Sequence, residues 1–253
     1  MAKLNTNSNV YTIVYASVMV IIVAFLLAFV AQSLKKTQDD NVALDKKSQI
    51  LAALDIRDIE DVEAEYNKVV KNDCIYGKDA SKGAKAEKGG FDVKNNDITE
   101  DNRPAYLCEV NGESIVVIPV TGAGLWGGLW GYIAVKSDGE TIHSTYFSHE
   151  SETVGLGARI SEKEFQQSFN GKKIYANGEL ALSVYKKGKS GNAAPENFVD
   201  AVTGATLTSD GVNKMIQDGL TRYKDVISLY KPAPAAVADS VEVAPQDSIS
   251  NVK

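Results

Sequence analysis

The chain contains little cysteine and has no excess of positive charge. Only two cysteines, Cys74 and Cys108, occur among its 253 residues, too few for a disulfide scaffold, a zinc cluster or an iron–sulfur centre. They are compatible with one disulfide or with two buried thiols. The formal net charge is −6, and because phosphate backbones need a basic face, nucleic acid is not expected as a partner.

Residues typical of hydrolytic and metal chemistry are also scarce. His143 and His149 are the only histidines, and their spacing matches no zinc motif, so we expect no metal site. The sequence has neither a G-x-S-x-G elbow nor a Cys-x-x-Cys pair, which leaves hydrolase and thioredoxin-type functions without their residues. The composition, 44% hydrophobic and 24% charged, is nevertheless that of a chain that folds.

One long apolar run lies near the amino terminus, after a short segment at residues 1–9. Residues 10–31 carry no charge, and at roughly 1.5 Å per residue they span about 33 Å, enough to cross a hydrocarbon core. The apolar region of a signal peptide is only about 7–15 residues long. The sequence therefore predicts a transmembrane helix, and since no side chain within it is charged at neutral pH, we expect an anchor rather than an ion path.

The flanking lysines give only an ambiguous indication of how this helix is oriented in the membrane. Lys3 precedes the helix, whereas Lys35, Lys36, Lys46 and Lys47 follow it. Counted alone, these lysines favour a cytoplasmic position for the rest of the chain.

The remaining sequence predicts an α+β domain on a stalk. Residues 32–102 read as two amphipathic helices, broken near residues 55–58, and a lysine-rich surface loop at 77–90. The first helix is expected to continue the transmembrane helix. Residues 103–231 predict an antiparallel sheet with flanking helices. Its elements are hairpins at 106–120 and 132–147, a helix capped by Ser161 with Glu164, a strand at 180–185 and a closing helix at 212–229. Residues 232–253 read as a disordered tail.

Two glycine-rich loops stand out in this domain. Residues 122–127 match G-x-G-x-x-G, but a dinucleotide fold needs a helix directly afterwards, and a strand follows here. Bare backbone beside Trp126 and Trp130 instead suits the approach of a flat ring, although a tight turn with core tryptophans fits equally well. The second loop, Glu152-Thr153-Val154-Gly155-Leu156-Gly157, is called the glutamate loop below; a plain surface loop is its alternative reading.

Residues 200–209, the acceptor segment, are small and hydroxylated and precede the last helix. We expect that helix to start near Ser209 or Asp210. The first amides of a helix have no partner inside it and attract anions, so the segment suits a phosphate. The alternative is an ordinary cap formed by Thr208 or Ser209.

A family resemblance separates these alternatives. Asp200-x-x-Thr203-Gly204-Ala205-Thr206 resembles the motif on which a flavin transferase attaches FMN in ion-translocating respiratory complexes. With the Gly-x-Gly-Leu-Trp turn at 122–126 and the glutamate loop, the chain resembles the covalent-FMN subunit of sodium-translocating NADH:quinone reductases, which has an FMN-binding domain. Val154 departs from this family, which commonly has proline there, and this puts the rigidity of the loop in doubt.

The resemblance implies an electron relay through FMN held covalently by a phosphoester to Thr206. It also implies a bacterial inner-membrane protein with a periplasmic flavin domain, against the lysine count. The expected partners are the iron–sulfur and second-flavin subunits of the complex and the flavin transferase, which Asp200 helps to recognise. The other cofactor-binding residues implied are Thr203, Gly204, Ala205, Leu207, Thr208, Leu125, Trp126, Glu152, Thr153, Gly155 and Leu156.

Two rival functions remain at this point. The homologous flavin subunit of the ferredoxin:NAD oxidoreductase complex shares the acceptor motif and the anchor, although the Gly-Leu-Trp turn favours the quinone reductase. The second rival belongs to another functional class. It is a membrane-anchored binding module without cofactor, in which the threonines only cap the helix.

Overall fold

The structure is a computed structural model that describes residues 8–78, 80, 87–191 and 193–231. The predicted tail at 232–253 and most of the predicted lysine-rich loop lie outside these residues.

Helix α1 spans Asn9–Ala53 without interruption. Its N-cap is Ser8, whose hydroxyl accepts a hydrogen bond from the Tyr11 amide at 3.2 Å. By length and composition α1 can cross a membrane, with a mean hydropathy of 2.9 in its most apolar window, and its large apolar side chains from Val10 to Leu34 are exposed. The expectation that the first stalk helix continues the membrane helix is confirmed.

The predicted break between the two stalk helices is also present. Helix α1 ends at Ala53, and the following Asp55 and Asp58 have positive φ angles of 60° and 58°, which a helix does not accommodate. Helix α2 then spans Val62–Val69, capped by Asp61, whose carboxylate accepts from the Ala64 amide at 2.9 Å.

A six-stranded antiparallel sheet forms the centre of the domain. Its strands are β1 (Val70–Tyr76), β2 (Glu87–Lys88), β3 (Arg103–Val110), β4 (Glu113–Ala123), β5 (Gly128–Lys136) and β6 (Ile142–His149), in the order β2-β1-β3-β4-β5-β6. Both predicted hairpins are confirmed. In the first, Asn111 and Gly112 have φ angles of 52° and 80°, as a tight hairpin turn requires. Strands β1 and β2 were not predicted.

The elements between β6 and the closing helices are short. They are α3 (Lys163–Gln167), β7 (Tyr175–Ala176), β8 (Glu179–Leu180), β9 (Ser183–Tyr185) and β10 (Phe198–Asp200). The closing helices are α4 (Thr206–Arg222) and α5 (Lys224–Leu229). Strands β7 and β8 pair antiparallel, and β9 and β10 pair parallel.

Two hydrophobic clusters lie on the two faces of the sheet. One packs sheet residues such as Ile118 against α4 and α5. The other packs residues such as Val117 against α2 and the end of α1, where Ile50 and Leu51 are fully buried. Residues 115–120 of the central strand β4 are therefore buried on both faces, which explains their continuous apolar run. The predicted α+β class is confirmed.

The cysteines form no disulfide. Cys74 and Cys108 lie on neighbouring strands, but Cys74 belongs to the cluster facing α4 and Cys108 to the opposite one. Burial raises the pKa of the Cys108 thiol to about 12, so this thiol is unreactive at neutral pH.

Three local predictions were wrong. Ser161 does not cap α3, because it ends a preceding 3-10 helix at Gly157–Ser161, and α3 begins after Glu162 without a side-chain cap. The predicted strand at 180–185 is split between β8 and β9. The closing helix is split at Tyr223 into α4 and α5.

Candidate functional site

The carboxylate of Glu152 joins three separate parts of the chain. Glu152 is only 5% exposed. Its Oε1 accepts a hydrogen bond from the Trp126 amide at 2.9 Å, and its Oε2 accepts one from Thr208 Oγ1 at 2.6 Å. The turn between β4 and β5, the glutamate loop and the first turn of α4 therefore meet at one buried carboxylate.

These hydrogen bonds determine the charge of Glu152. Burial raises the pKa of the carboxyl, but hydrogen bonds from the Thr208 hydroxyl and from the Trp126 and Leu125 amides, together with the nearby His149, outweigh it and hold the pKa below its ordinary value. Glu152 is therefore ionised at neutral pH and accepts hydrogen bonds at both oxygens.

The glycine-rich stretch at 122–131 forms a hairpin. Strands β4 and β5 pair as far as Ala123 and Gly128, and the turn is closed by a hydrogen bond from Gly124 N to Gly127 O at 2.8 Å. No helix follows the glycines, as predicted. Leu125 and Trp126 at the tip are 48% and 66% exposed, so Trp126 is not a core tryptophan.

The glutamate loop contains a type II turn. The carbonyl of Thr153 accepts from the Leu156 amide at 3.1 Å, and Gly155 has a φ of +76°, which such a turn requires at its third position. Val154 therefore occupies the second position and is 89% exposed. Thr153 is exposed as well.

Gly157 allows this loop to approach helix α4. A Cβ on Gly157 would stand 2.6 Å from Thr208 Oγ1 and would also meet the Glu152 carboxylate. A larger residue there would therefore separate the hydrogen-bonded pair.

The acceptor segment leads from β10 into α4. Thr203, Gly204, Thr206 and Leu207 are exposed, whereas Ala205 is buried. Gly204 has a φ of +82°, and Leu156 Cδ2 lies beside it. The segment therefore adjoins the glutamate loop and leaves Thr206 exposed to solvent.

The predicted start and cap of the last helix were wrong. Helix α4 begins at Thr206, and its N-cap, Ala205, provides no side-chain hydrogen bond. Thr208 and Ser209 have other partners, because Thr208 donates to Glu152 and Ser209 Oγ accepts from the Val202 amide at 3.1 Å. The Ser209 amide bonds to the Ala205 carbonyl at 2.9 Å, so the amides at 206–208 form the end of the helix that attracts anions.

Exposed apolar side chains gather around this helix end. Beyond α1, the described residues include six large apolar side chains that are exposed. Leu229 lies on α5, and the other five lie on the three connected loops, which are the β4–β5 turn, the glutamate loop and the acceptor segment. The other five are Leu125, Trp126, Val154, Leu156 and Leu207. An apolar surface next to free helix amides suits a ligand that combines a flat ring with a phosphate.

Asp200 occupies a different position. It is exposed at the end of β10 and, with Thr203, borders a cleft of about 340 Å³ lined also by Phe165, Lys172 and Phe198. In the described part of the chain, the hydrogen-bond donors to the Glu152 carboxylate include the Trp126 amide and the Thr208 hydroxyl, and Asp200 is not among its partners.

Sequence reasoning missed the two residues before Glu152. Ser151 Oγ donates to the Trp126 carbonyl at 2.8 Å, and Glu150 Oε2 accepts from the Gly128 amide at 3.2 Å. Neither residue belongs to a recognisable motif, and their position directly before Glu152 is the one signal that points to them.

Comparison with known proteins agrees with this geometry. A family model described as FMN-binding domain matches residues 124–221, the stretch that contains all three loops. NqrC of Haemophilus ducreyi, a protein of the Na(+)-translocating NADH-quinone reductase, is 32% identical over 234 residues, which cover 84% of this chain and 90% of that protein. The chain belongs to the NqrC family.

Other members of the NqrC family support the assignment. The Pasteurella multocida protein of the same name is 30% identical over 214 residues, covering 75% of this chain and 81% of that protein. The crystal structure of NqrC from Parabacteroides distasonis aligns with a TM-score of 0.71 at 35% identity, covering 77% of this chain and 97% of that one. The chain thus carries the FMN-binding domain of the NqrC family behind a helix that is long and apolar enough to cross a membrane.

Proposed function

We propose that this NqrC-family chain relays electrons in a membrane sodium-translocating NADH:quinone oxidoreductase through FMN bound covalently to Thr206. The observation that carries the proposal is the position of Thr206. Its exposed hydroxyl stands at the anion-attracting end of α4, next to the five exposed apolar side chains.

The residues present fit the two halves of FMN. Thr203, Gly204 and Ala205 lie beside the helix end that would hold the phosphate. Leu125, Trp126, Thr153, Gly155, Leu156 and Leu207 lie on the adjoining loops and would surround the ring. Glu152 and Thr208 lie beneath these loops, where their mutual hydrogen bond holds the two sides together.

Attachment requires an activated donor, because condensing a phosphate with an alcohol in water is unfavourable. A phosphoanhydride of FMN meets this need. Attachment would form a bond between Thr206 Oγ1 and the FMN phosphorus and break the anhydride P–O bond, and the proton of the hydroxyl would leave with the departing phosphate half. A flavin transferase catalyses this step and recognises Asp200, which stands exposed six residues before Thr206.

Bound flavin supplies the electron-transfer chemistry, and the protein binds and orients it. Iron–sulfur and second-flavin subunits of the same complex are the proposed donor and acceptor. Sodium crosses elsewhere, since the apolar part of α1 has no Asp, Glu, Lys, Arg or His.

The test is intact-protein mass spectrometry of the full chain after expression with the transferase. Unaltered protein and a Thr221→Ala variant should each carry one FMN that survives denaturation, and Thr206→Ala should carry none. Thr221→Ala is the matched control, since Thr221 is also an exposed threonine of α4 but lies outside the acceptor segment. A covalent flavin on Thr206→Ala would refute Thr206 as the attachment point, and the absence of flavin from the unaltered chain would refute the proposal and favour the cofactor-free binding module.

We also propose that the flavin domain is periplasmic, in a bacterial inner membrane. Two of the lysines that favour a cytoplasmic domain form contacts within the fold. Lys46 donates to the Val93 carbonyl at 2.8 Å, and Lys47 pairs with Glu63 at 2.6 Å. The test uses Lys187→Cys, at an exposed site, and a membrane-impermeant maleimide. Intact spheroplasts should label this variant and not Ala2→Cys, and both native thiols are buried. The reverse labelling pattern would place the domain in the cytoplasm.

A further inference from the structure

Three consecutive side chains hold the turn that carries Trp126. Glu150 Oε2 accepts from the Gly128 amide at 3.2 Å, Ser151 Oγ donates to the Trp126 carbonyl at 2.8 Å, and Glu152 Oε1 accepts from the Trp126 amide at 2.9 Å. Residues 150–152 are called the clamp below. The clamp engages both the N–H and the C=O group of Trp126.

The sheet register explains how the clamp reaches this turn. The ladder between β5 and β6 ends with Leu129 opposite His149. The Glu150 amide extends it by one more bond, to the Gly128 carbonyl at 3.0 Å. The clamp therefore lies alongside residues 126–128, where its side chains can replace the ladder that the turn has interrupted.

The clamp fixes the backbone of Trp126 and leaves its side chain outside. The indole remains 66% exposed, which is unfavourable unless something covers it. A fixed backbone under an exposed aromatic side chain lowers the entropy lost when a ligand packs against that ring. This is the arrangement of a prepositioned binding residue rather than of a core residue.

We propose that Glu150 and Ser151 are positioning residues that, together with Glu152, hold the Trp126 indole against the flavin ring. The inference rests on the proposed function, since it takes FMN as the ligand. Glu150 and Ser151 are themselves exposed, so their hydrogen bonds compete with water and contribute little to folding. Their effect is on the position of the indole.

The chain offers a matched control for removing one of these bonds. Ser228 is exposed, and its hydroxyl donates to the Lys224 carbonyl at 2.7 Å on α5. Ser151→Ala and Ser228→Ala therefore delete the same hydroxyl group from a hydrogen bond to a backbone carbonyl, which lies 25 positions away for Ser151 and one helix turn away for Ser228. Trp130→Phe makes Trp126 the single tryptophan of the full chain, which has two, so that indole emission reports on Trp126 alone.

Two quantities are measured on the full chain in this background. The first is the time-resolved anisotropy of Trp126 in the flavin-free Thr206→Ala form. The second is the emission of the attached flavin, which a contacting indole quenches by electron donation to the excited ring. Losing one such exposed hydrogen bond, at the low end of the usual range, should raise the population of displaced indole about twofold. Ser151→Ala and Glu150→Ala should therefore speed the anisotropy decay and brighten the flavin.

Conservative variants and the control complete the test. Ser151→Thr and Glu150→Gln keep a donor and an acceptor and should restore both signals, while Ser228→Ala should change neither. The thermal midpoints of Ser151→Ala and Ser228→Ala should agree, which separates positioning from stability. The inference is wrong if these two variants give the same Trp126 anisotropy. If the unaltered chain carries no flavin, the proposed function fails, whereas the anisotropy still decides the role of the clamp.

Discussion

The hydroxyl of Thr208 donates a 2.6 Å hydrogen bond to Glu152 across 56 positions of sequence. Thr208 lies two residues after the proposed flavin attachment point, and Glu152 also holds the Trp126 amide. The two sides of the proposed flavin site are thus linked through one carboxylate.

Replacing Glu152 with alanine should destabilise the domain. The Thr208 hydroxyl and the Trp126 amide would lose their acceptor, and leaving such groups unpaired costs about 2 kcal/mol. Glu152→Gln keeps an acceptor and should cost less. Urea unfolding of the detergent-solubilised full chain measures both, with Glu179→Ala on β8 as an exposed control. Equal unfolding free energies for Glu152→Ala and Glu179→Ala would show that the carboxylate is not structural.

The contribution of Glu152 should also depend on pH. Its pKa in the folded protein lies below that of the unfolded chain. The ionised carboxylate therefore contributes stability above the unfolded pKa, and this contribution is lost as the pH falls through the folded pKa. The difference in thermal midpoint between the unaltered chain and Glu152→Gln should shrink as the pH is lowered. A difference that stays constant or grows on acidification contradicts the expectation.

Proline at position 154 should stabilise the glutamate loop. Val154 is at the second position of a type II turn, which favours proline. The substitution restricts the unfolded chain and should add about 0.4–1 kcal/mol. Thermal melts of Val154→Pro and Val154→Ala test this, because alanine removes the exposed side chain without restricting φ. A lower midpoint for proline than for alanine would mean that the turn is not of this type.

Arg103 should be the most sensitive charged residue outside the site. It is 2% exposed, and its guanidinium bonds to both oxygens of Asp225, at 2.6 and 2.9 Å, and to the Arg222 carbonyl at 2.6 Å. Arg103→Ala should cost about 3 kcal/mol, because it leaves Asp225 without its partner. Arg222→Ala, which removes the more exposed pair with Glu100, should cost well under 1 kcal/mol. Chemical unfolding that fails to separate the two variants would contradict this ranking.

Lys46 should make stability rise with pH in the alkaline range. Burial lowers its pKa from 10.5 to about 8, although Asp92 and Asp73 raise it in part. Between these two values Lys46 binds fewer protons in the folded protein than in the unfolded chain, so its own contribution to stability increases with pH there. Lys46→Met should abolish that increase, and Lys68→Met, at an exposed position, should preserve it. Thermal midpoints measured between pH 8 and 10.5 test this. Parallel curves of thermal midpoint against pH for the unaltered chain and Lys46→Met would exclude the effect.

Local signals in the sequence predicted the parts of the fold that local chemistry determines. The Asn111-Gly112 pair supplies the positive φ angles of its turn, and the uncharged run at 10–31 predicts a helix that the structure contains and that is apolar enough to cross a membrane. Strand β1 was missed because residues 71–73 are Lys, Asn and Asp, and pairing with β3 rather than propensity makes them extended.

The candidate site was predictable as motifs and not as contacts. The hydroxyls of Thr208 and Ser209 resemble a helix cap in sequence, but distant partners, Glu152 and the Val202 amide, take them. As a result α4 starts at Thr206. The β5–β6 register places Glu152 beneath the loops and brings Ser151 to Trp126. The sequence of either strand alone does not determine that register.

The continuity of helix α1 limits how far the domain can travel. Its residues 32–53 extend past the predicted membrane span by roughly 33 Å, and they end buried under the sheet. Helices of this length bend only gently, so α1 acts as a spacer of set length rather than a tether. If the proposed relay is right, a redox partner would present its own centre at the height above the bilayer that this spacer sets, or the whole helix would lean to bring the domain within reach.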